Sequence, residues 1–437
     1  MEPTKLGAVV MAAGLGTRMR SATPKHLHPL LGRRMVDWVL HTARELEADP
    51  LVVVAAPSTA DAFDGVTVAV QETPLGTGDA VRSAQSALEG VEDVLVLSGD
   101  TPLLTSALLR ELLDTHRREA ASATVLSFEP DDPRQYGRVV RNGSGALAAI
   151  VEAADASPEE LDIREVNSSI YVFRAECLWP VLERLTPKNA QGELYLTDTV
   201  SLLVGEGERV AVHKGGEPME TEGVNTRSEL AVATAALRDR INEAHMLAGV
   251  TIVDPSTTWV DADAVLEPDA VIHPFTVVGG QSRIAAGAEV GPHAVLRDAF
   301  VGAGALVGPF CYLRPGTVLE AGAKAGTFVE IKNSLIGERT KVPHLSYIGD
   351  ADVGMDSNIA AGNITANQDH TRAKTRTVIG RNVRTGVDNS FVAPVTIGDD
   401  AWIAAGSVIT EDVPAGALAI ARTKQLNKEG RGGKRDD

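Results

Sequence analysis

The chain has 437 residues, 44% of them hydrophobic, and a formal net charge of -18. That length supports two or three cores rather than one, and that charge would repel nucleic acid and anionic membrane, so neither is expected as a partner. No apolar run reaches the roughly 18 residues of a membrane span; Ala8 to Leu15 is too glycine-broken for a signal peptide, and two cysteines, Cys177 and Cys311, make no disulfide framework, which favours a reducing cytoplasm.

The first predicted strand, Leu6 to Met11, opens a stretch that reads "VVMAAGLGTRMRSATPKHLHPL". An apolar run that ends on Gly14 and Gly16, followed by Arg18 and Lys25, predicts a loop whose backbone N–H groups wrap a phosphate while the two cations neutralise it. It is not a Walker motif, since no Gly-Lys-Ser/Thr follows. In an acidic protein, cations gathered beside glycines are informative. An ordinary tight turn is the plainer alternative.

Further strands are predicted at Leu51 to Val54, Val66 to Val70, Val94 to Leu97, Thr124 to Phe128 and Ile170 to Phe173, with helices from Met35 to Leu46 and Ala107 to His116 between them. Such alternation predicts a mostly parallel α/β sheet with its ligands beyond the strand carboxyl ends. "SGDTPLL" puts Asp100 at that edge, either as a Mg²⁺ ligand or as the cap of the next helix. "PLGTGDA" adds a second glycine loop, and "EGVNTR" adds the amide oxygen of Asn225.

From Asn225 a helical stripe of Leu230, Leu237, Ile241, Ala244 and Ala248 runs to Gly249 and predicts a connecting helix. Beyond it aliphatic residues recur every six positions: Val253, Trp259, Val265, Val271 and Val277, then Ile284, Val290 and Leu296 after a one-residue slip, and later Ile379, Phe391, Ile397, Ile403 and Ile409, with Thr385 in register. This hexapeptide spacing predicts a parallel β-helix of roughly eight or nine coils, each flat side turning one residue inward. A purely structural solenoid is one reading of it.

"MAAGLGTRM", "PKHLHPL", "LGTG", "SGDTPL", "YGRVV", "IVEAADA", "NAQGELYLTD" and "EGVN" occur in order and resemble the bacterial bifunctional N-acetylglucosamine-1-phosphate uridylyltransferase and glucosamine-1-phosphate acetyltransferase family. The resemblance covers almost the whole chain. It implies a nucleotidyltransferase domain over residues 1–226, a linker helix over 227–249 and a left-handed β-helix over 250–437, associating as a homotrimer with acetyl-transfer sites between subunits. The implied pathway is that of UDP-N-acetylglucosamine and peptidoglycan for the cell wall. Lys25 and Arg18 would act on the triphosphate; Met11, Ala12, Ala13 and Gly14 would meet the nucleotide, with Gln71, Gly76 and Thr77 on uracil and ribose. Gly137, Glu152 and Asn167 would hold the sugar, and Asp100 with Asn225 would hold Mg²⁺.

For acetyl transfer the resemblance implies His344 as general base, with Arg314, Lys332, Tyr347 and Asn358 on the sugar phosphate. Ala361, Asn367, Gln368, Val387, Ala405 and Arg422 would lie along acetyl-coenzyme A. Taken alone, His344 reads first as a surface or hydrogen-bonded loop histidine, and only the resemblance makes it the base. Three places depart from the family pattern: Ala153 and Ala154 stand where a lysine is common, Gln368 replaces a tyrosine, and Val387 replaces a serine. These leave open another sugar phosphate, or a β-helix that only trimerises. A catalytically silent scaffold is opposed by the intact Lys25, Asp100 and Asn225. The basic tail, with Arg422, Lys424, Lys428, Arg431, Lys434 and Arg435, is either a solvated end or a docking arm for the coenzyme A 3′-phosphate.

Overall fold

Ala8, Val9 and Val10 are fully buried because their strand, β1 (Leu6–Ala12), is hydrogen-bonded in parallel on both sides. The following elements are α1 (Met35–Arg44), β2 (Leu51–Ala55), β3 (Thr67–Val70), α2 (Thr77–Ser83), β4 (Asp93–Ser98), α3 (Ser106–Arg118) and β5 (Ala123–Phe128). Then come β6 (Arg138–Arg141), β7 (Leu147–Val151), β8 (Val166–Arg174), α4 (Ala175–Leu182), α5 (Asp198–Gly205), β9 (Val210–Lys214) and α6 (Arg227–Leu247). The strands lie in the order β9-β5-β8-β4-β1-β2-β3, with the β6–β7 hairpin attached to β8. All neighbours along this path are parallel except β8, which is antiparallel to both β4 and β5.

Fully burying one Val or Leu contributes about 1.5–3 kcal/mol, so the apolar faces of β1, β2 and β4, packed against α1, α3 and α4, carry this unit's stability. The computed structural model describes residues 5–14, 16–133 and 135–429, and the chain divides into two units, Met1–Ala236 and Leu237–Asp437.

Five of the predicted strands begin and end within one residue of the observed ones. β8 starts four residues earlier than Ile170, at Val166. Its first half reads "VNSS", without alternation, because the register with β5 shifts between Asn167 and Tyr171 and Ser169 adopts φ 62. This bulge faces the carboxyl ends of the parallel strands, since Asn167 pairs with Ser127 near the end of β5.

The second unit is the left-handed parallel β-helix, with three flat faces. Among the described residues, the first face begins at Thr251–Ile252, the second holds nine strands from Trp259–Val260 to Val408–Ile409, and the third holds eight from Val265–Leu266 to Val395–Ile397. Among the described residues the strands stacked along each face pair in parallel, as the six-residue period requires.

The inward residues of the first coils correct the expected register. Val253 and Val265 are exposed, whereas Ile252, Val260, Leu266, Ile272 and Val278 are buried. Strands such as Val265–Leu266 and Val271–Ile272 are aliphatic at both positions, so the period alone does not say which one turns inward. With the inward set assigned, no slip separates Val278 from Ile284: from Val260 through Leu266, Ile272, Val278, Ile284 and Val290 to Leu296 every step is six residues. The helical stripe is also corrected. Ala244 and Ala248 are exposed, while Asn242 is fully buried and its Nδ2 donates to the carbonyls of Pro255 (3.0 Å) and Thr258 (2.9 Å).

Candidate active sites

Gly16 has φ 58, and a Cβ there would collide with the Lys25 side chain. Glycine at this position lets the loop after β1 fold back over Lys25. Gly99, after β4, donates its N–H to the Met11 carbonyl at 2.9 Å and ties the two loops together. Lys25 Nζ then donates to Asp100 Oδ2 and, at 2.8 Å, to Asn225 Oδ1. Arg18 Nη2 reaches the same Asn225 oxygen at 2.9 Å. Four predicted residues from three separate segments thus converge on one point.

Asp100 is not a helix cap. The cap of α3 is Thr105, whose hydroxyl accepts the N–H of Leu108 at 3.3 Å. Burial by itself would raise the Asp100 carboxyl, but Lys25 and His26 outweigh it, and the Ser98 hydroxyl donates to Oδ1 at 2.5 Å; the group is held at about 2. It therefore stays anionic at any working pH.

His26, beside it, is pushed down to about 4 by burial, with Lys25 adding and Asp100 opposing. The unfolded chain binds this proton near 6.5 and the folded chain only near 4. This contribution to stability is whole above about 6.5 and is lost as the pH falls towards about 4, by about 3 kcal/mol. We expect His26→Gln to flatten the decline of unfolding free energy between pH 7.5 and pH 4.5, measured by denaturant titration. An unchanged decline would contradict the assignment.

The second glycine loop packs on the segment Leu194 to Leu196. Gly78 donates its N–H to Leu194 O at 2.8 Å, Thr77 Oγ1 accepts from Leu196 N at 2.9 Å, and Gly76 has φ 120 with a Leu194 backbone contact that excludes a Cβ. Gln71 is buried and donates from Nε2 to Gly76 O (3.1 Å) and Asp79 Oδ2 (2.9 Å). At the bulge, Asn167 donates its N–H to Gly137 O at 2.8 Å and its Nδ2 to Tyr171 Oη at 2.7 Å. Glu152 lies close enough to Gly137 that a Cβ there would be 3.4 Å from Oε2. Burial, with Asp198 and Asp155 nearby, pushes the Glu152 carboxyl up, against the Thr197 hydroxyl that donates to it at 3.0 Å. The predicted sugar residues are thus neighbours. Ala12 and Ala13 are buried at the end of β1, and Ala154 is exposed.

A cavity of ≈ 180 Å³ joins the cation cluster to the bulge, lined by Arg18, Asp100, Tyr136, Ser169, Gly223 and Asn225 among others. Tyr136 and Ser169 were not singled out from the sequence. Tyr136 stood within the quoted "YGRVV", whereas Ser169 becomes accessible only through the bulge.

In the β-helix, Arg314, Lys332 and Tyr347 belong to the second face. Arg314 pairs with Glu330 at 2.8 Å, and Lys332 lies 3.7 Å from Asp350. Burial would raise Asp350, but the amides of Asn333 and Asn367, with Lys332 and Lys374, hold it below the usual carboxylate range. Asn367 thereby touches Asp350 and, at 3.5 Å, Tyr347 Oη. Lys374, missed in the sequence, is held below the usual lysine range by hydrogen bonding and repulsion from Lys332. Two ammonium groups so placed favour an anion between them. Only the fold reveals this, because Lys374 returns to Lys332 through a loop in which Gln368 and Lys374 form an antiparallel bridge.

Asn358 stands apart from this group, on the first face between Lys341 and Arg384. His344 ends a first-face strand (Lys341–His344) and is exposed, next to the left-handed corner residue Leu345. Ala361, Val387 and Ala405 occupy the same corner in later coils: Asp388 donates to Ala361 O at 2.9 Å, Gly406 to Val387 O at 2.8 Å, and Arg422 Nη1 to Ala405 O at 2.8 Å. Four residues predicted for acetyl-coenzyme A therefore form one column above His344. Arg422, Lys424 and Lys428 are exposed, and Arg431, Lys434 and Arg435 lie outside the described residues.

Residues 8–198 match the family described as the MobA-like NTP transferase domain. The chain is 48% identical over 448 residues to the bifunctional protein GlmU of Streptomyces avermitilis, covering 97% of this chain and 93% of that one. The same protein of Streptomyces coelicolor is 49% identical at the same coverage, and that of Mycobacterium bovis is 46% identical over 456 residues, covering 98% and 92%. The chain belongs to the bifunctional GlmU family. The GlmU likeness runs through both units, whereas the MobA-like match ends before the β-helix. Among the described residues no helix is long and apolar enough to cross a membrane, and no group of three or more His, Cys, Asp or Glu is placed to hold a metal.

Proposed function

We propose that this GlmU-family chain makes UDP-N-acetylglucosamine in two steps: acetyl transfer from acetyl-coenzyme A to glucosamine 1-phosphate, then uridylyl transfer from UTP to N-acetylglucosamine 1-phosphate. The observation that carries the second step is the convergence of Arg18, Lys25, Asp100 and Asn225 on shared oxygens. One ammonium contacts both Asp100 Oδ2 and Asn225 Oδ1, so the two oxygens lie within reach of a single cation. Hard oxygen donors of this kind fit Mg²⁺. When bound, Mg²⁺ supplies charge neutralisation and Lewis acidity to the phosphates.

The chain's own residues do the rest. A phosphate oxygen of the sugar attacks the α-phosphate of UTP, and pyrophosphate leaves; Lys25 and Arg18, released from Asn225 by the incoming charge, follow the negative charge as it moves onto the leaving group. Gln71, Gly76 and Thr77 hold the uridine, and Gly137, Glu152 and Asn167 hold the sugar through hydrogen bonds without adding cations.

For acetyl transfer, His344 takes the proton of the glucosamine ammonium so that the amine attacks the thioester carbonyl; the C–S bond then breaks, and coenzyme A leaves as the thiol with the proton that the nitrogen loses on becoming the amide. Arg314, Lys332 and Lys374 receive the sugar phosphate with Tyr347. Successive coils are spaced as adjacent strands are, so from His344 to Ala405 the column rises about 14 Å, the scale of an extended pantetheine arm. The separate placement of Asn358 supports a homotrimer in which a neighbouring β-helix completes the acceptor site. We place the enzyme in the cytoplasm, serving peptidoglycan synthesis with small-molecule substrates alone.

Incubating the protein with glucosamine 1-phosphate, acetyl-coenzyme A, UTP and Mg²⁺ is expected to yield UDP-N-acetylglucosamine, measured by chromatography. Omission of either acetyl-coenzyme A or UTP should abolish it. Product formed without acetyl-coenzyme A would contradict the order of steps.

A second reading, that the β-helix only trimerises, is favoured by Gln368 and by the exposed Val387 in the column. A lost hydroxyl contact and a lost ring each cost on the order of 1 kcal/mol. We therefore expect Gln368→Tyr with Val387→Ser to lower the KM for acetyl-coenzyme A by roughly 10-fold to 30-fold with kcat little changed, because these positions transfer no proton. Steady-state kinetics at saturating glucosamine 1-phosphate checks this, and a change confined to kcat would contradict it.

A further inference from the structure

Tyr136 precedes Gly137 in the turn that leads into β6, and its hydroxyl accepts the backbone N–H of Gly223 at 3.2 Å. The ring is held from behind by Phe128, which is fully buried at the end of β5; their centroids are 5.2 Å apart and their planes cross at 82°. The side chain is thus a strut with a fixed base. Tyr136 and Gly223 both line the cavity beside Asp100 and Asn225.

At the near end, Gly137 accepts the N–H of Asn167 at 2.8 Å and passes close to Glu152. At the far end, Gly223 runs so near Asp100 that a Cβ there would be 3.3 Å from Oδ1. The Gly223 carbonyl accepts Asn225 Nδ2 at 3.1 Å, and Val224 donates its N–H to Asp100 O at 2.8 Å. The turn that Tyr136 holds therefore positions both Asp100 and Asn225. The Gly223–Tyr136 hydrogen bond joins the sugar side to the cation side.

We infer that Tyr136 is a positioning residue that couples occupancy of the sugar pocket to binding of the divalent cation. The inference rests on the reading of Gly137, Glu152 and Asn167 as the sugar residues and of Asp100 and Asn225 as the cation ligands. A sugar phosphate that fixes the Gly137 turn fixes the Gly223 turn through Tyr136, so the cation then meets a turn already ordered. By linkage the cation tightens the sugar phosphate by the same factor.

The test uses the full chain, Mn²⁺ as a spectroscopic probe of the cation site, and N-acetylglucosamine 1-phosphate. Free Mn²⁺ is titrated by electron paramagnetic resonance with and without saturating sugar phosphate, in the unmutated protein and in Tyr136→Phe, which keeps the ring and loses the hydroxyl. The unmutated protein should bind Mn²⁺ about fivefold more tightly with the sugar phosphate present, the factor a single net hydrogen bond supplies. In Tyr136→Phe the two affinities should agree, while the thermal midpoint stays close to that of the unmutated protein. Calorimetry of the sugar phosphate with and without Mn²⁺ should return the same factor and the same loss.

Equal coupling in both proteins would overturn the role of Tyr136, because the link would then run through direct contact between the ligands. The absence of coupling in the unmutated protein would overturn it as well. Failure of the unmutated protein to bind Mn²⁺ in either condition would instead overturn the assignment of Asp100 and Asn225. The failures are distinct.

Discussion

Asp100→Ala is expected to lower uridylyl transfer by roughly 100-fold to 10,000-fold, the equivalent of several kcal/mol of lost charge stabilisation on the phosphates. Acetyl transfer by the same variant should stay within about twofold, because every residue assigned to it lies in the β-helix unit. The reason for so large an effect is that Asp100 does two things. In the proposed mechanism it would offer one anionic oxygen to the cation, and it holds Lys25, whose ammonium bridges to Asn225. Asp100→Asn keeps the shape and the Ser98 contact but removes the charge from both roles; it should retain the fold and lose nearly as much activity. Pyrophosphate release and thiol release, measured on one preparation of each variant, check the result. Equal loss of both activities would contradict the separation of the sites.

His344→Ala has the opposite signature. Acetyl transfer should fall by roughly 100-fold to 10,000-fold, the range for a lost general base, and pyrophosphate release should barely change. The His344 side chain is exposed at the end of its strand, beside a corner residue, so its removal should cost little stability. A loss of activity would then reflect chemistry rather than unfolding. Full acetyl transfer by His344→Ala would show that the base is elsewhere.

The loop after β1 was legible because its chemistry is local: an apolar strand, two glycines and two cations in one stretch, with Gly16 at φ 58. The hexapeptide period was legible for the same reason, since it repeats. What it could not decide was orientation within a strand, because Val271–Ile272 and Val277–Gly279 offer an aliphatic residue to either side. Packing against the next coil settles that choice, and it is not a property of any short window. The helix end shows the converse: a buried asparagine, Asn242, replaces the expected alanines because it satisfies two carbonyls of the first coil.

The candidate site divides in the same way. Lys25, Asp100 and Asn225 could be named because glycines and strand ends mark them, yet their meeting on shared oxygens depends on the order of β1 and β4 in the sheet. Tyr136 acts through its hydroxyl on a turn far along the chain, and Ser169 reaches the cavity through a bulge. Lys374 becomes informative only when its loop returns to Lys332. Each of these depends on a long-range contact that no local pattern encodes.

One chain carrying two independent transfer sites is the central claim, and one pair of parallel assays tests it most directly. The purified protein is incubated with UTP, Mg²⁺ and N-acetylglucosamine 1-phosphate in one vessel, and with acetyl-coenzyme A and glucosamine 1-phosphate in another, and released pyrophosphate and free thiol are measured. We expect both products, each dependent on its own sugar phosphate. Pyrophosphate without thiol would contradict the claim and leave the β-helix as an assembly element alone.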